Sequence, residues 1–127
     1  MNLELNHIGI KCSDLEEAKK FYIDVMGFRI IYEVEVLGKP CVFVGNDTVQ
    51  IELEASAISI ESPSVPPACG LTHFAFHVTG IEAASDELKS RGAQFLFPPF
   101  AIRPTRKTAM IKAPDGVLIQ LIEDLPE

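Results

Sequence analysis

The chain states one pattern twice, and that repetition constrains its fold more than any other feature. Leu5-Asn6-His7 is matched by Leu71-Thr72-His73, Ala18 by Ala84 at the same offset, and Gly27 by Gly92 after a one-residue slip. Leu3 to Cys12 reads as a strand. Ser13 with Glu16 three residues on forms a capping-box signature, Leu15, Ala18, Phe21, Tyr22, Val25 and Met26 recur at helical spacing, and Gly27 ends the run. Short β runs follow at about 28–36, 40–45 and 48–54, with Gly38-Lys39 and Gly45-Asn46-Asp47 as turns. Residues 55–70, broken by Pro63, Pro66 and Pro67, read as a linker. The same order then starts again. Leu71 to Val78 is a strand, Thr79 with Glu82 repeats the capping box, and Ile81, Ala84 and Leu88 give a helical stripe ended by Gly92. Strands are expected near 94–97, 108–113 and 117–123, with Pro114-Asp115-Gly116 as the last turn. A period this long marks a repeated module rather than a solenoid unit. The expected class is α+β: two βαβββ modules, about 1–54 and 71–127, within one domain of 127 residues.

Strand alternation then sorts the side chains. In the first strand Ile8, Ile10 and Cys12 share one face, and His7, Gly9 and Lys11 the other. In its repeat Phe74, Phe76 and Val78 oppose His73, Ala75 and His77. Ile51 and Leu53 oppose Gln50, Glu52 and Glu54, and Ile119 and Leu121 oppose Leu118, Gln120 and Ile122. The helices must cover the apolar rows. The other face then carries a histidine in each first strand and a carboxylate or amide in each last one. Two imidazoles, one carboxylate and an amide oxygen suit a first-row divalent metal. A lone strand histidine is more often solvated than ligating, but two at equivalent positions of a repeat shift that balance. Alternation supplies a common face without showing that the four side chains meet. Glu54 reads as a surface carboxylate, and His77, whose counterpart is Lys11, as lining or surface.

The bulk numbers exclude several classes. Acids outnumber bases by 18 to 11 and the pI is near 4.9, against general nucleic-acid binding. No apolar run approaches the roughly 20 residues of a membrane span. The N-terminus is polar and acidic, unlike a signal peptide, and Cys12, Cys41 and Cys69 are odd in number and far apart. A cytoplasmic protein is expected. Arg103, Arg106 and Lys107, after Pro98-Pro99 in an expected loop, are candidates for binding a substrate carboxylate or phosphate, with a solvated loop as the equal alternative. Arg29 is a weaker one.

Nearly the whole chain resembles the vicinal oxygen chelate superfamily, the glyoxalase, bleomycin resistance and dioxygenase group. The resemblance is carried by Asn6-His7-Ile8-Gly9-Ile10, Phe21-Tyr22 before Met26-Gly27-Phe28, and Gln50-Ile51-Glu52-Leu53. The second half adds Gly70-Leu71-Thr72-His73-Phe74-Ala75-Phe76, then Ala113-Pro114-Asp115-Gly116 before Ile119-Gln120-Leu121-Ile122-Glu123. It implies a curved mixed sheet around a metal and substrate cavity, helices outside, and commonly a homodimer. It places a divalent ion (Zn, Ni, Co or Mn) on His7, Glu52, His73 and Gln120. Glyoxalase I-like proteins usually carry Glu at the fourth corner, where this chain has Gln120. Extradiol dioxygenases take a ligand carboxylate from that corner, and the epimerase typically keeps Glu there with Gln at the second, the reverse of this chain. The implied function is a lactoylglutathione lyase type of isomerisation, a metal-assisted proton transfer beside a carbonyl with Glu52 as ligand and base. The alternatives are an acyl-CoA epimerase-like or other vicinal-oxygen enzyme, and a non-catalytic protein that sequesters a small molecule.

Overall fold

The computed structural model describes residues 1–56 and 63–127. It divides into two compact units, Met1–Ser62 and Pro63–Glu127. Positions 57–62 of the expected 55–70 linker lie outside the described residues.

The first unit runs β1 (Ile8–Cys12), α1 (Leu15–Lys20), a π-helical turn (Phe21–Val25), β2 (Arg29–Val36), β3 (Lys39–Gly45) and β4 (Gln50–Ala55). The strands order as β1-β4-β3-β2, with β1 parallel to β4 and the other pairs antiparallel. Ala18, Tyr22 and Phe28 are buried with Val44, Ile51 and Leu53, so the apolar rows do form the core side. The second unit repeats the plan as β5 (His73–His77), α2 (Ile81–Ser90), β6 (Gln94–Arg103), β7 (Arg106–Lys112) and β8 (Leu118–Asp124). Its order is β5-β8-β7-β6, with β5 parallel to β8. Ile81 and Leu88 of α2 are buried, as are Ala109, Ile111, Ile119 and Leu121 of the sheet. The expected α+β class with two βαβββ modules holds.

The one-residue slip in the repeat has a structural cause. The first helix closes with a π turn, in which Met26 N–H donates to the Phe21 carbonyl five residues back at 3.1 Å. A π turn adds one residue without lengthening the connection. The second helix has none, so Gly92 arrives one position sooner.

Four local expectations are corrected. The first helix is capped by Asp14, not Ser13: Asp14 is extended and its carboxylate accepts the Glu17 N–H at 3.1 Å. The second is capped at Gly80, in the left-handed region at φ 70°, rather than at Thr79. Its cap acceptor comes from the far end of the unit, where Glu123 takes Gly80 N–H at 2.6 Å and Ile81 N–H at 3.1 Å. The β2–β3 turn is Leu37-Gly38, both at positive φ (52° and 78°), because Val36 pairs with Lys39. Finally, β6 continues through Pro98-Pro99 to Arg103 where a loop was expected. It is an edge strand with three register shifts, so prolines interrupt no inner ladder.

Candidate metal centre

In the first unit, β1 and β4 are in parallel register with Gly9 opposite Glu52. His7, two residues before Gly9, therefore shares its sheet face with Glu52. His7 Nε2 stands 3.9 Å from Glu52 Oε1, with the two side chains 38% and 19% exposed. Two ligands of one first-row cation at about 2.1 Å each lie roughly 3.0–3.4 Å apart. The observed gap thus closes onto an ion with a small side-chain movement. Gly9 keeps the strip between them clear of a side chain, and a methyl built there would sit 3.7 Å from Glu52 Oε1.

Aromatic rings fix the rest of this face. His7 packs edge-on against Phe43 (5.1 Å, 76°), which stands opposite Glu52 on β3 and stacks on Tyr32 of β2 (4.5 Å, 19°). The aromatic wall was not singled out from the sequence, although Tyr32, Val34 and Val36 alternate with Glu33 and Glu35 in a way that announces an apolar strand face. Burial, and then the Glu52 and Glu54 carboxylates, push the Cys41 thiol up. Glu54 faces Lys11 at 3.9 Å, as a surface carboxylate would.

In the second unit Ala75 stands opposite Gln120, which puts His73, two residues upstream, on the same face. Gln120 donates from Nε2 to Thr108 Oγ1 at 2.9 Å. His73 Nδ1 lies 2.9 Å from Thr72 Oγ1. Among the described residues neither unit by itself gathers three His, Cys, Asp or Glu side chains suited to a metal. The first unit brings His7 and Glu52 onto one face, and the second brings His73 and Gln120 onto one face; imidazole, carboxylate and amide oxygen are each donors that suit a divalent ion.

The candidate anion-binding cations are mostly engaged. Arg29 bonds Asp47 at 2.8 Å. Arg106 Nε bonds Asp124 at 2.7 Å, and Asp124 also meets His77 Nε2 at 3.2 Å. Arg106 first, then His77, hold the Asp124 carboxyl below its usual range. Lys107 pairs with Glu82, lowering that carboxyl and raising its own amine. Lys107 stands opposite Glu123 in the ladder, on the helix side with Ala109 and Leu121 and away from Gln120. Arg103 faces Arg106 across the hairpin and has no ion pair among the described residues.

Nearly the whole chain is similar to known proteins. Residues 4–121 match the model of the Glyoxalase/Bleomycin resistance protein/Dioxygenase superfamily. The chain is 32% identical over 124 residues to the uncharacterized protein YaeR of Escherichia coli (strain K12), covering 94% of this chain and 95% of that one. It is 29% identical over 127 residues to the mitochondrial methylmalonyl-CoA epimerase of Mus musculus, at 92% and 71% coverage. A glyoxalase family protein from Enterococcus faecalis superposes with a TM-score of 0.79 at 28% identity, covering 94% of this chain and 97% of that one.

Proposed function

The chain belongs to the Glyoxalase/Bleomycin resistance protein/Dioxygenase superfamily, and on that premise we propose that it is a metal-dependent lyase or isomerase of the glyoxalase I type. The substrate class is a thiol adduct of a 2-oxoaldehyde. The observation that carries the reading is the approach of His7 Nε2 and Glu52 Oε1 on one open sheet face. His7, Glu52, His73 and Gln120 are the proposed ligand set. When bound by these residues, a divalent cation (Zn, Ni, Co or Mn) would supply Lewis acidity that offsets negative charge on the substrate as a carbon beside its carbonyl loses a proton. Glu52 takes that proton and returns it to the adjacent, former carbonyl carbon, leaving an α-hydroxy thioester. Gln120 is neutral and accepts no proton, so the single carboxylate does both transfers. The Tyr32–Phe43 wall receives the apolar part of the substrate. Arg103, which has no ion pair among the described residues, is the least engaged of the four cations proposed to bind a remote acidic group; Arg29, Arg106 and Lys107 would first have to leave their partners.

The identity to methylmalonyl-CoA epimerase supports a second reading, an acyl-CoA epimerase-like proton transfer. A single proton-accepting corner ranks it lower, because epimerisation works both faces of one carbon. A third reading is a sequestering protein without turnover. The cysteines are free, two buried and one exposed, which supports a reducing, cytoplasmic setting, and no described helix is long and apolar enough to cross a membrane.

Calorimetric titration with Zn, Ni, Co and Mn, followed by a hemithioacetal assay, tests the proposal. Uptake of about one ion per chain with turnover is expected. An absence of uptake for every metal removes the enzyme reading. Uptake with methylmalonyl-CoA turnover alone selects the epimerase.

A further inference from the structure

Three of the four proposed ligands, His7, His73 and Gln120, have one heteroatom already tied down by a polar neighbour, and the tie leaves the other heteroatom for the metal. We infer that Asn6, Thr72 and Thr108 are positioning residues that select His7 Nε2, His73 Nε2 and Gln120 Oε1 as the donor atoms. The inference rests on the metal reading above but concerns residues that reading does not use.

The first tie is His7 Nδ1 to Asn6 Oδ1 at 2.7 Å. An amide oxygen only accepts, so the imidazole hydrogen sits on Nδ1. The lone pair is then on Nε2, the nitrogen that faces Glu52 at 3.9 Å. The second module has the same device with a different residue. His73 Nδ1 lies 2.9 Å from Thr72 Oγ1, and Thr72 holds the position in Leu71-Thr72-His73 that Asn6 holds in Leu5-Asn6-His7. A hydroxyl can accept or donate, and the match to Asn6 assigns it the acceptor's part in this proposal, with the His73 hydrogen on Nδ1. The third tie orients the amide. Gln120 Nε2 donates to Thr108 Oγ1 at 2.9 Å, and Thr108 is fully buried on β7, so that oxygen is a fixed point. Turning the amide nitrogen inward aims Oε1 the other way. A metal-bound imidazole gains from a partner on its second nitrogen, which holds both tautomer and ring orientation.

His77 provides an internal contrast. Its Nε2 meets Asp124 at 3.2 Å, the arrangement for a hydrogen on Nε2, which is also the preferred form of an unconstrained neutral imidazole in water. The proposal thus divides the three histidines by tautomer, with the hydrogen on Nδ1 in His7 and His73 and on Nε2 in His77.

Long-range proton–nitrogen correlation spectra of the metal-free, full-length protein near pH 8, above the ordinary imidazole range, read this directly. Co2+ affinity is measured on the same samples. The expected result is the Nδ1–H pattern for His7 and His73 and the Nε2–H pattern for His77. Asn6→Ala should shift only His7 towards Nε2–H and weaken Co2+ binding about 10- to 100-fold, and Asn6→Asp should restore both. Thr72→Val should do the same at His73, with rescue by Thr72→Ser; Thr108→Val should weaken Co2+ without moving either histidine. An Nε2–H pattern at His7 and His73 in wild type, or Co2+ affinity unchanged in Asn6→Ala and Thr72→Val, overturns the positioning role while leaving the metal reading intact. Wild-type protein that takes up no Co2+ overturns the metal reading and the positioning role with it, so the two failures are distinct.

Discussion

Glu52 sits between groups that suit a mobile base. Gly9 leaves one side of it open, Phe43 lies opposite on β3, and His7 approaches its Oε1. Glu52→Gln keeps the shape and an oxygen donor but removes the proton acceptor. It should lower kcat on the hemithioacetal by about 10²–10⁴-fold while Co2+ still binds, as stopped assays and titration on one preparation would show. Unchanged turnover would remove Glu52 as the base. Gln120→Glu should move turnover the other way, by supplying a second acceptor at the fourth corner. Side-chain placement at this scale was legible only in part. Strand alternation was enough to put His7 with Glu52 and His73 with Gln120, because a two-residue period leaves no third face. It carried no information on what long cations reach. Arg106 finds Asp124 and Lys107 finds Glu82 across the fold, at sequence separations of 18 and 25.

The elements show where local signals lose to distant ones. Thr79 and Glu82 spell a capping box, yet the second helix takes its cap from Glu123, more than 40 residues away. Those two backbone donors hold the Glu123 carboxyl below its usual range, as Lys107 does for Glu82 and Arg106 for Asp124. A carboxyl lowered on folding contributes stability above its unfolded value and loses it as pH falls through its folded value. Thermal stability should be flat from neutral pH to about 5 and fall below about 4. Glu123→Gln should lower Tm by a few degrees at pH 7 and flatten the acid limb. A mutant curve parallel to wild type from pH 7 to 3 would contradict this. The π turn and the prolines of β6 were hidden for a related reason. A π turn keeps the apolar stripe and changes only the count, and a proline reads as a breaker unless its strand is known to be an edge. Leu37 gives a cleaner test at this scale. It is 97% exposed and held at φ 52°, in a two-residue turn that favours Asn-Gly. Leu37→Asn should stabilise the fold by about 0.5–1 kcal/mol, relieving left-handed strain on a branched side chain. Urea unfolding with an unchanged slope would check it, and a loss of stability would mean that Leu37 has a partner on that turn.

At the scale of the molecule, the duplication made the architecture legible, because every signal was read twice and the copies agreed. What the repeat does not explain is the apolar surface on its two open edges. On β2, Ile30, Tyr32, Val34 and Val36 are 40–48% exposed, and on β6, Leu96, Phe100 and Ile102 are 47–56% exposed. Both are edge strands, and an exposed apolar edge is a pairing and packing liability unless something covers it. Tyr32, Val34 and Val36 pair with Phe43, Cys41 and Lys39, on the sheet face that carries Glu52. We propose that a second copy covers part of this surface, which makes a homodimer the expected state. The net charge of −7 works against that association, since two such chains repel at long range. Salt screens the repulsion and leaves apolar burial in place, so the dimer should tighten as ionic strength rises. Sedimentation equilibrium at micromolar concentration should give twice the 14.0 kDa chain mass, with a lower dissociation constant at about 0.5 M than at about 0.02 M salt. Val34→Lys with Ile102→Lys should return the protein to 14.0 kDa without unfolding it, because both side chains already face out. A wild-type protein that stays monomeric at high salt and high concentration would leave these strands to the substrate alone, and turnover in the double mutant would then fall through KM rather than through assembly.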